Sequence, residues 1–195
     1  AALGHRVIAL EPGYENHTAL SRNVLLNRLA DLVVPLQVAL GNRSRVDWFA
    51  YTDLRPGAAN HAVDADAWDG AQRLWCPVWR LDELVGALHL PDPTHVKLDV
   101  DGAELQVLEG FGMLLGRIAA VLVELRDEQV APVTQLLATH GLAQTHRFGE
   151  RGGRPLKGLS YGLFQRPSAA TVVDGQVAAT TGAATVSAGT VVAIG

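Results

Sequence analysis

Apolar bursts alternate along the chain with stretches whose apolar residues recur every three or four positions. RVIALEP, residues 6–12, is a continuous apolar run closed by an acid and a proline, the pattern of a buried parallel strand that reaches the carboxyl edge of its sheet at Glu11. From Asn16, the stretch NHTALSRNVLLNRLADL gathers Leu20, Val24, Leu25 and Leu29 near one face, which predicts a helix with Asn16 as its N-cap. LVVPLQVALG, residues 32–41, predicts a further strand, with Pro35 marking an irregular start or an edge position. RVDWFAY (45–51) and LWCPVWRL (74–81) flank a loop holding Pro56, Gly57 and Asn60, and predict an inserted antiparallel pair or an edge extension.

The alternation then resumes. A short helix from Asp82, DELVGALHL, leads through PDP to the strand HVKLDV, and AELQVLEGFGMLLGR spaces Leu105, Val107, Leu108, Phe111 and Leu115 as a helix does. IAAVLVEL (118–125) is another buried strand, followed by a helix near residues 130–140 that Gly141 terminates. LAQTHRF and LSYGLFQ, joined by GERGGRPLKG, form a closing antiparallel hairpin. Strands alternating with helices and ending in a hairpin predict one α/β layered domain over residues 1–166. Residues 167–195 are nearly uncharged and dominated by small and β-branched residues, a low-complexity Ala/Thr/Val/Gly tail read as an appendage, either a disordered tail or a β-rich repeat that needs partners to pair its edges.

Composition narrows the function. A chain of 195 residues with 48% hydrophobic and 18% charged content can bury a core, and its net charge of -4 with scattered basic residues lacks the footprint of a nucleic-acid binder. A small-molecule or carbohydrate partner is expected instead; nothing in the composition speaks to oligomeric state. The lone Cys76 excludes an internal disulfide and a Cys-rich zinc cluster, and reads as a buried small hydrophobe. His17 and His95 have no neighbour at metal-ligand spacing, so no metal is expected. No apolar run approaches the ~20 residues of a membrane span and no signal-peptide pattern opens the chain, which makes the cytoplasm the expected compartment. Trp48, Trp68, Trp75 and Trp79 cluster in the inserted segment, where packing is favoured over lining an acceptor site.

The candidate chemistry lies in HVKLDVDGAELQVLEGF, residues 95–111, where a buried run delivers Asp99, Asp101 and Glu104 into a helix start. A phosphatase resembling haloacid-dehalogenase-type enzymes would use Asp99 as nucleophile and Asp101 as general acid, but no acidic pair of the form G-D-x-x-x-D follows, and Ala103 departs from the usual threonine. An EF-hand alignment puts Lys97 and Leu108 at ligand positions, where neither binds a hard cation. Acids at strand ends in an open α/β sheet suit a ligand crevice instead.

Taken in order, VIALEPGYENHTALSRNVLLN, VPLQVALGN, RLDELV, HVKLDVDGAELQVLEGFGMLL and VLVEL resemble the FkbM-type S-adenosylmethionine-dependent methyltransferases over roughly residues 5–127. The most specific element is K-L-D-V-D-G-A-E-x-x-V-L-x-G, with Asp101 where that family usually has glutamate. The resemblance implies a Rossmann-like class I methyltransferase sheet with helices on both faces, S-adenosylmethionine as cofactor, and methyl transfer to a hydroxyl of a sugar, polyketide or similar metabolite. It places Glu11 on the cofactor ribose, Asn16 beside it ordering the following loop, Gln37 to Leu40, Ala39 included, near the adenine, and Asp101 near the methyl donor. Asp99, Glu104 and Glu124 then become the candidate bases for the acceptor hydroxyl.

Only ten residues precede Glu11, so the first strand and its glycine-rich turn are expected to be missing and the chain to be N-terminally truncated. A chain lacking its central strand is expected to bind cofactor weakly or fold poorly alone, since unpartnered buried backbone groups cost about 1–3 kcal/mol each. The alternative reading is a non-catalytic remnant that keeps the crevice for binding or assembly.

Overall fold

The structure is a computed structural model that describes residues 1, 3–51, 53–54, 62–63, 72–151, 154–155, 158–167, 172–173, 176–177 and 189–194. The chain opens with β1 (Arg6–Leu10), α1 (Tyr14–Leu26), β2 (Val33–Leu36), β3 (Ala39–Leu40), β4 (Arg45–Tyr51), β5 (Ala62–Val63) and β6 (Gln72–Trp79). There follow α2 (Leu81–Ala87), β7 (Pro93–Leu98), α3 (Glu104–Glu109), a 3-10 turn (Gly112–Gly116), β8 (Ala120–Arg126), α4 (Asp127–Thr139) and β9 (Ala143–Phe148). The short pairs β10 (Glu150–Arg151) with β11 (Arg154–Pro155) and β13 (Val172–Val173) with β14 (Gln176–Val177) flank β12 (Leu159–Gln165), and β15 (Thr190–Ile194) ends the described chain.

A seven-stranded sheet in the order β2-β1-β15-β7-β8-β12-β9 forms the centre, parallel from β2 to β8 and closed by antiparallel β12 and β9. One face buries Ile8, Leu10, Val96, Leu98, Val121, Val123, Val192 and Ile194 against α2, α3 and α4. The other face packs Ala9 and Val33 beneath Val24 of α1. This is the Rossmann-like layering, with helices on both sides of a mostly parallel sheet. A second sheet, β3-β6-β4-β5, carries its own small core of Ala39, Phe49, Tyr51, Cys76 and Val78. Among the described residues no helix is long and apolar enough to cross a membrane.

Four expectations need correction. The place between β1 and β7, expected to be empty, is filled by Thr190–Ile194, parallel to both neighbours, with Val192 paired to Ile8 on one side and Val96 on the other. TVVAI is a short β-branched apolar run bounded by Gly189 and Gly195, and a slot between two apolar parallel strands satisfies its backbone groups on both sides. Residues 32–41 form two strands rather than one: β2 lies at the sheet edge, where Pro35 removes no needed donor, and β3 joins the second sheet. Helix α1 starts at Tyr14 with Gly13 as N-cap, because the Asn16 side chain is committed to Glu11 and not to the helix end. The helix after Ala103 stops at Glu109 and the chain continues as a 3-10 turn entered through Gly112 at φ 50, while at Gly110 a Cβ would overlap the Gly41 carbonyl oxygen.

Candidate functional site

Strand register aligns the acidic residues along one edge. Leu10 pairs with Ile194 and Ile194 with Leu98, so Glu11 and Asp99 are the next residues on either side of the end of β15. Two strand spacings put their Cα atoms about 10 Å apart. Leu98 pairs with Val123, which sets Asp99 beside Glu124, and Glu124 pairs with Tyr161. The carboxyl edge therefore presents Glu11, the end of β15, Asp99, Glu124 and Tyr161 in a single row.

At one end a hollow of about 220 Å³ is lined by Ala9, Leu10, Glu11, Asn16, Leu20, Lys97, Ala193 and Ile194. Glu11 Oε1 accepts the Gly13 N–H at 2.7 Å and the Asn16 side chain also bonds to the carboxylate. A Cβ on Gly13 would lie 2.9 Å from Glu11 Oε1, so glycine is what lets the chain fold back this closely. Burial pushes the Glu11 carboxyl up to about 7 against these two bonds. Gln37, exposed just past β2, adjoins the row on the far side of Glu11, whose N–H bonds to the Leu36 carbonyl at 3.1 Å. Ala39 is buried in the second sheet.

Asp99 reaches the same hollow through Lys97, whose Nζ donates to Asp99 Oδ2 at 2.6 Å. Its backbone N–H bonds to the Ile194 carbonyl at 3.1 Å, which ties β15 to the turn that follows β7. That turn runs through Asp101 (φ 51) and Gly102 (φ 109), a left-handed pair that an Asp-Gly sequence tolerates. Arg126 donates to the Asp101 carbonyl and Gln129 to that of Gly102, so β8 and α4 hold the turn in place. Asp101 itself is exposed.

The three candidate bases separate. Glu104 is 2% exposed, accepts the Gly102 N–H at 3.0 Å through Oε1, and has its carboxyl pushed up by burial, so it anchors the turn from inside. Asp99 and Glu124 stand together on the edge, hydrogen-bonded to one another. Burial first, then the Asp99 and Asp101 charges, raise the Glu124 carboxyl, against a hydrogen bond from Tyr161. Among the described residues no three of His, Cys, Asp and Glu come together to hold a metal ion.

Two tyrosines at the site escaped the reading of the sequence. The Tyr51 hydroxyl accepts the Tyr14 N–H at 3.2 Å, and burial, with a smaller contribution from the nearby Glu11 charge, pushes its phenol up. The alternation in RVDWFAY did put Phe49 and Tyr51 on one face, which was the available signal. Tyr161 gave none, because its partner Glu124 lies on another strand. Trp48 and Trp75 stack at 3.7 Å between centroids on β4 and β6, away from the hollow, with Trp75 61% exposed; Trp79 packs against the main core, and Trp68 lies outside the described residues. Cys76 is free and buried, as a small hydrophobe is.

Hexuronic acid methyltransferase AglP of Haloferax volcanii is 32% identical over 135 residues, covering 68% of this chain and 52% of that protein, so the chain spans about half the length of the curated relative it matches. No solved structure matches it. The methyltransferase FkbM domain family matches residues 1–147, a span that contains β1, β7, β8 and every acid of the edge row, and the chain belongs to that family.

Proposed function

We propose that the chain is an S-adenosylmethionine-dependent methyltransferase that methylates a hydroxyl group of a carbohydrate acceptor. The observation that carries this reading is the row itself: a diol-sized carboxylate site at Glu11 and a carboxyl pair at Asp99 and Glu124, on opposite sides of one central strand end. The hexuronic acid methyltransferase named above supports a sugar as the acceptor.

The residues of the hollow fit the nucleoside end of the cofactor. Glu11 is held by the Gly13 N–H at Oε1 and by the Asn16 side chain, and a carboxylate so oriented can accept from vicinal ribose hydroxyls, while Leu10 and Leu20 give the apolar flank a nucleoside needs. Gln37, exposed just past β2, would be the polar side chain available to the base. When bound, the cofactor supplies a methyl group activated on a sulfonium.

The protein's own part is alignment and proton removal. With a donor bound, Asp99 and Glu124 would take up the proton that the acceptor hydroxyl gives up as its oxygen is methylated. Calorimetric titration with S-adenosylhomocysteine tests the donor half: saturable binding is expected, weakened about tenfold or more in Glu11→Ala, as loss of a charged hydrogen-bond acceptor implies. Equal affinity in the variant removes the ribose assignment. Transfer of labelled methyl from S-adenosylmethionine to an oligosaccharide containing glucuronic acid tests the acceptor half.

A further inference from the structure

Tyr161 stands at the end of the edge row farthest from the nucleoside hollow. Four strand spacings, roughly 19 Å, separate β12 from β1, so the phenol cannot take part in holding a nucleoside at Glu11. It is nevertheless built into the row: Tyr161 is the direct cross-strand neighbour of Glu124, and its hydroxyl donates to that carboxyl. On the opposite side Glu124 meets Asp99, which in turn holds Lys97. The sequence of contacts across β12, β8 and β7 is thus phenol, carboxyl, carboxyl, ammonium, with a donor at each end and one carboxyl pair between them.

We propose that Tyr161 is a positioning residue for the acceptor's proton: by donating to Glu124 from the neighbouring strand it fixes that carboxyl against Asp99 and decides which member of the pair takes the proton. This rests on the methyl-transfer reading above and deepens it. Without the phenol, Glu124 faces the anions Asp99 and Asp101, with Lys97 bound to Asp99 and Arg126, two residues along β8, bound to the Asp101 carbonyl. The hydrogen bond from Tyr161 is the contact that favours the ionised form of Glu124 from the β12 side, so the pair's proton is shared differently when it is lost.

Tyr161→Phe keeps the ring and removes the donor. In protein carrying carbon-13 at glutamate carboxyls, with the Glu124 signal assigned from Glu124→Gln, the titration of Glu124 is expected to move up by roughly half to one pH unit in Tyr161→Phe, the part of a charged-group hydrogen bond that survives solvent screening. Affinity for S-adenosylhomocysteine is expected to stay unchanged. With labelled S-adenosylmethionine and the glucuronic acid oligosaccharide, kcat falls several-fold at unchanged KM for the donor, and the acidic limb of the profile moves up by the same interval as the carboxyl signal. A Glu124 titration identical in wild type and Tyr161→Phe overturns the proposal, as does an unmoved acidic limb. Failure of the wild type to bind S-adenosylhomocysteine overturns the methyltransferase reading instead, while the titration still judges the tyrosine.

Discussion

Glu11 is worked against its own stability. Its carboxyl titrates near 7 because burial outweighs the bonds from Gly13 and Asn16, whereas in the unfolded chain it titrates near the ordinary 4.5. Between those values the folded state holds the extra proton, so the contribution of this group is fully present below about 4.5 and is lost as pH rises towards 7. Glu11→Gln is therefore expected to melt higher than wild type at pH 8 and no higher at pH 4, while binding S-adenosylhomocysteine poorly at both; thermal melts and calorimetry at the two pH values check this. If Glu11 accepts from the ribose diol as proposed, wild-type affinity should itself decline as pH falls below about 7, where its carboxyl becomes protonated. Gly13→Ala tests the same corner from the backbone: its φ of -67 suits alanine, but the new Cβ would press on Glu11 Oε1, so cofactor affinity should drop with little change in melting temperature. Glu11 and Asp99 were legible in the sequence because an acid that ends an apolar run marks a strand's edge. The Glu124 to Tyr161 contact was not, since nothing local to either residue announces which strands become neighbours.

At the scale of elements, β15 carries the main structural prediction. Val192 is fully buried between Ile8 and Val96, whereas Val191 belongs to the half-exposed face. Val192→Asp should bring a charge into the core and destabilise by several kcal/mol, enough to unfold a domain of ordinary stability, while Val191→Asp should cost far less. Urea titration of the two variants distinguishes the observed register from one slipped by a single residue, which would exchange their effects. Most elements were legible from periodicity, including β1, β7, β8, α4 and the closing hairpin. The break of the helix after Glu109 was not, because the apolar spacing continues through Phe111 and Leu115 while Gly112 turns left-handed. The run TVVAI carried a strand signal of its own, but five residues among alanines, threonines and glycines do not say whether they will find a slot.

For the whole molecule the consequence is a changed chain order. The strand between the two acids of the candidate site comes from residues 190–194, after every other strand of the sheet. The expectation of an unpartnered gap, and with it poor folding, no longer follows from the strand count. β12 ends opposite Ala120, at the amino edge, and β15 begins opposite Arg6 and Pro93 at that same edge, three strand spacings away, or about 14 Å. The 22 residues numbered 168 to 189 exceed that distance several times over even when far from extended, so the strand can dock on its own sheet without help from a second copy. Docking within one chain makes stability a unimolecular property, whereas donation from another copy would add a concentration term. The urea midpoint is therefore expected to be the same at 1 µM and at 100 µM protein, orders of magnitude chosen to span a weak dimer. A midpoint that rises with concentration, together with a dimer in sedimentation, would show instead that β15 is exchanged between chains and that each site depends on its neighbour's strand.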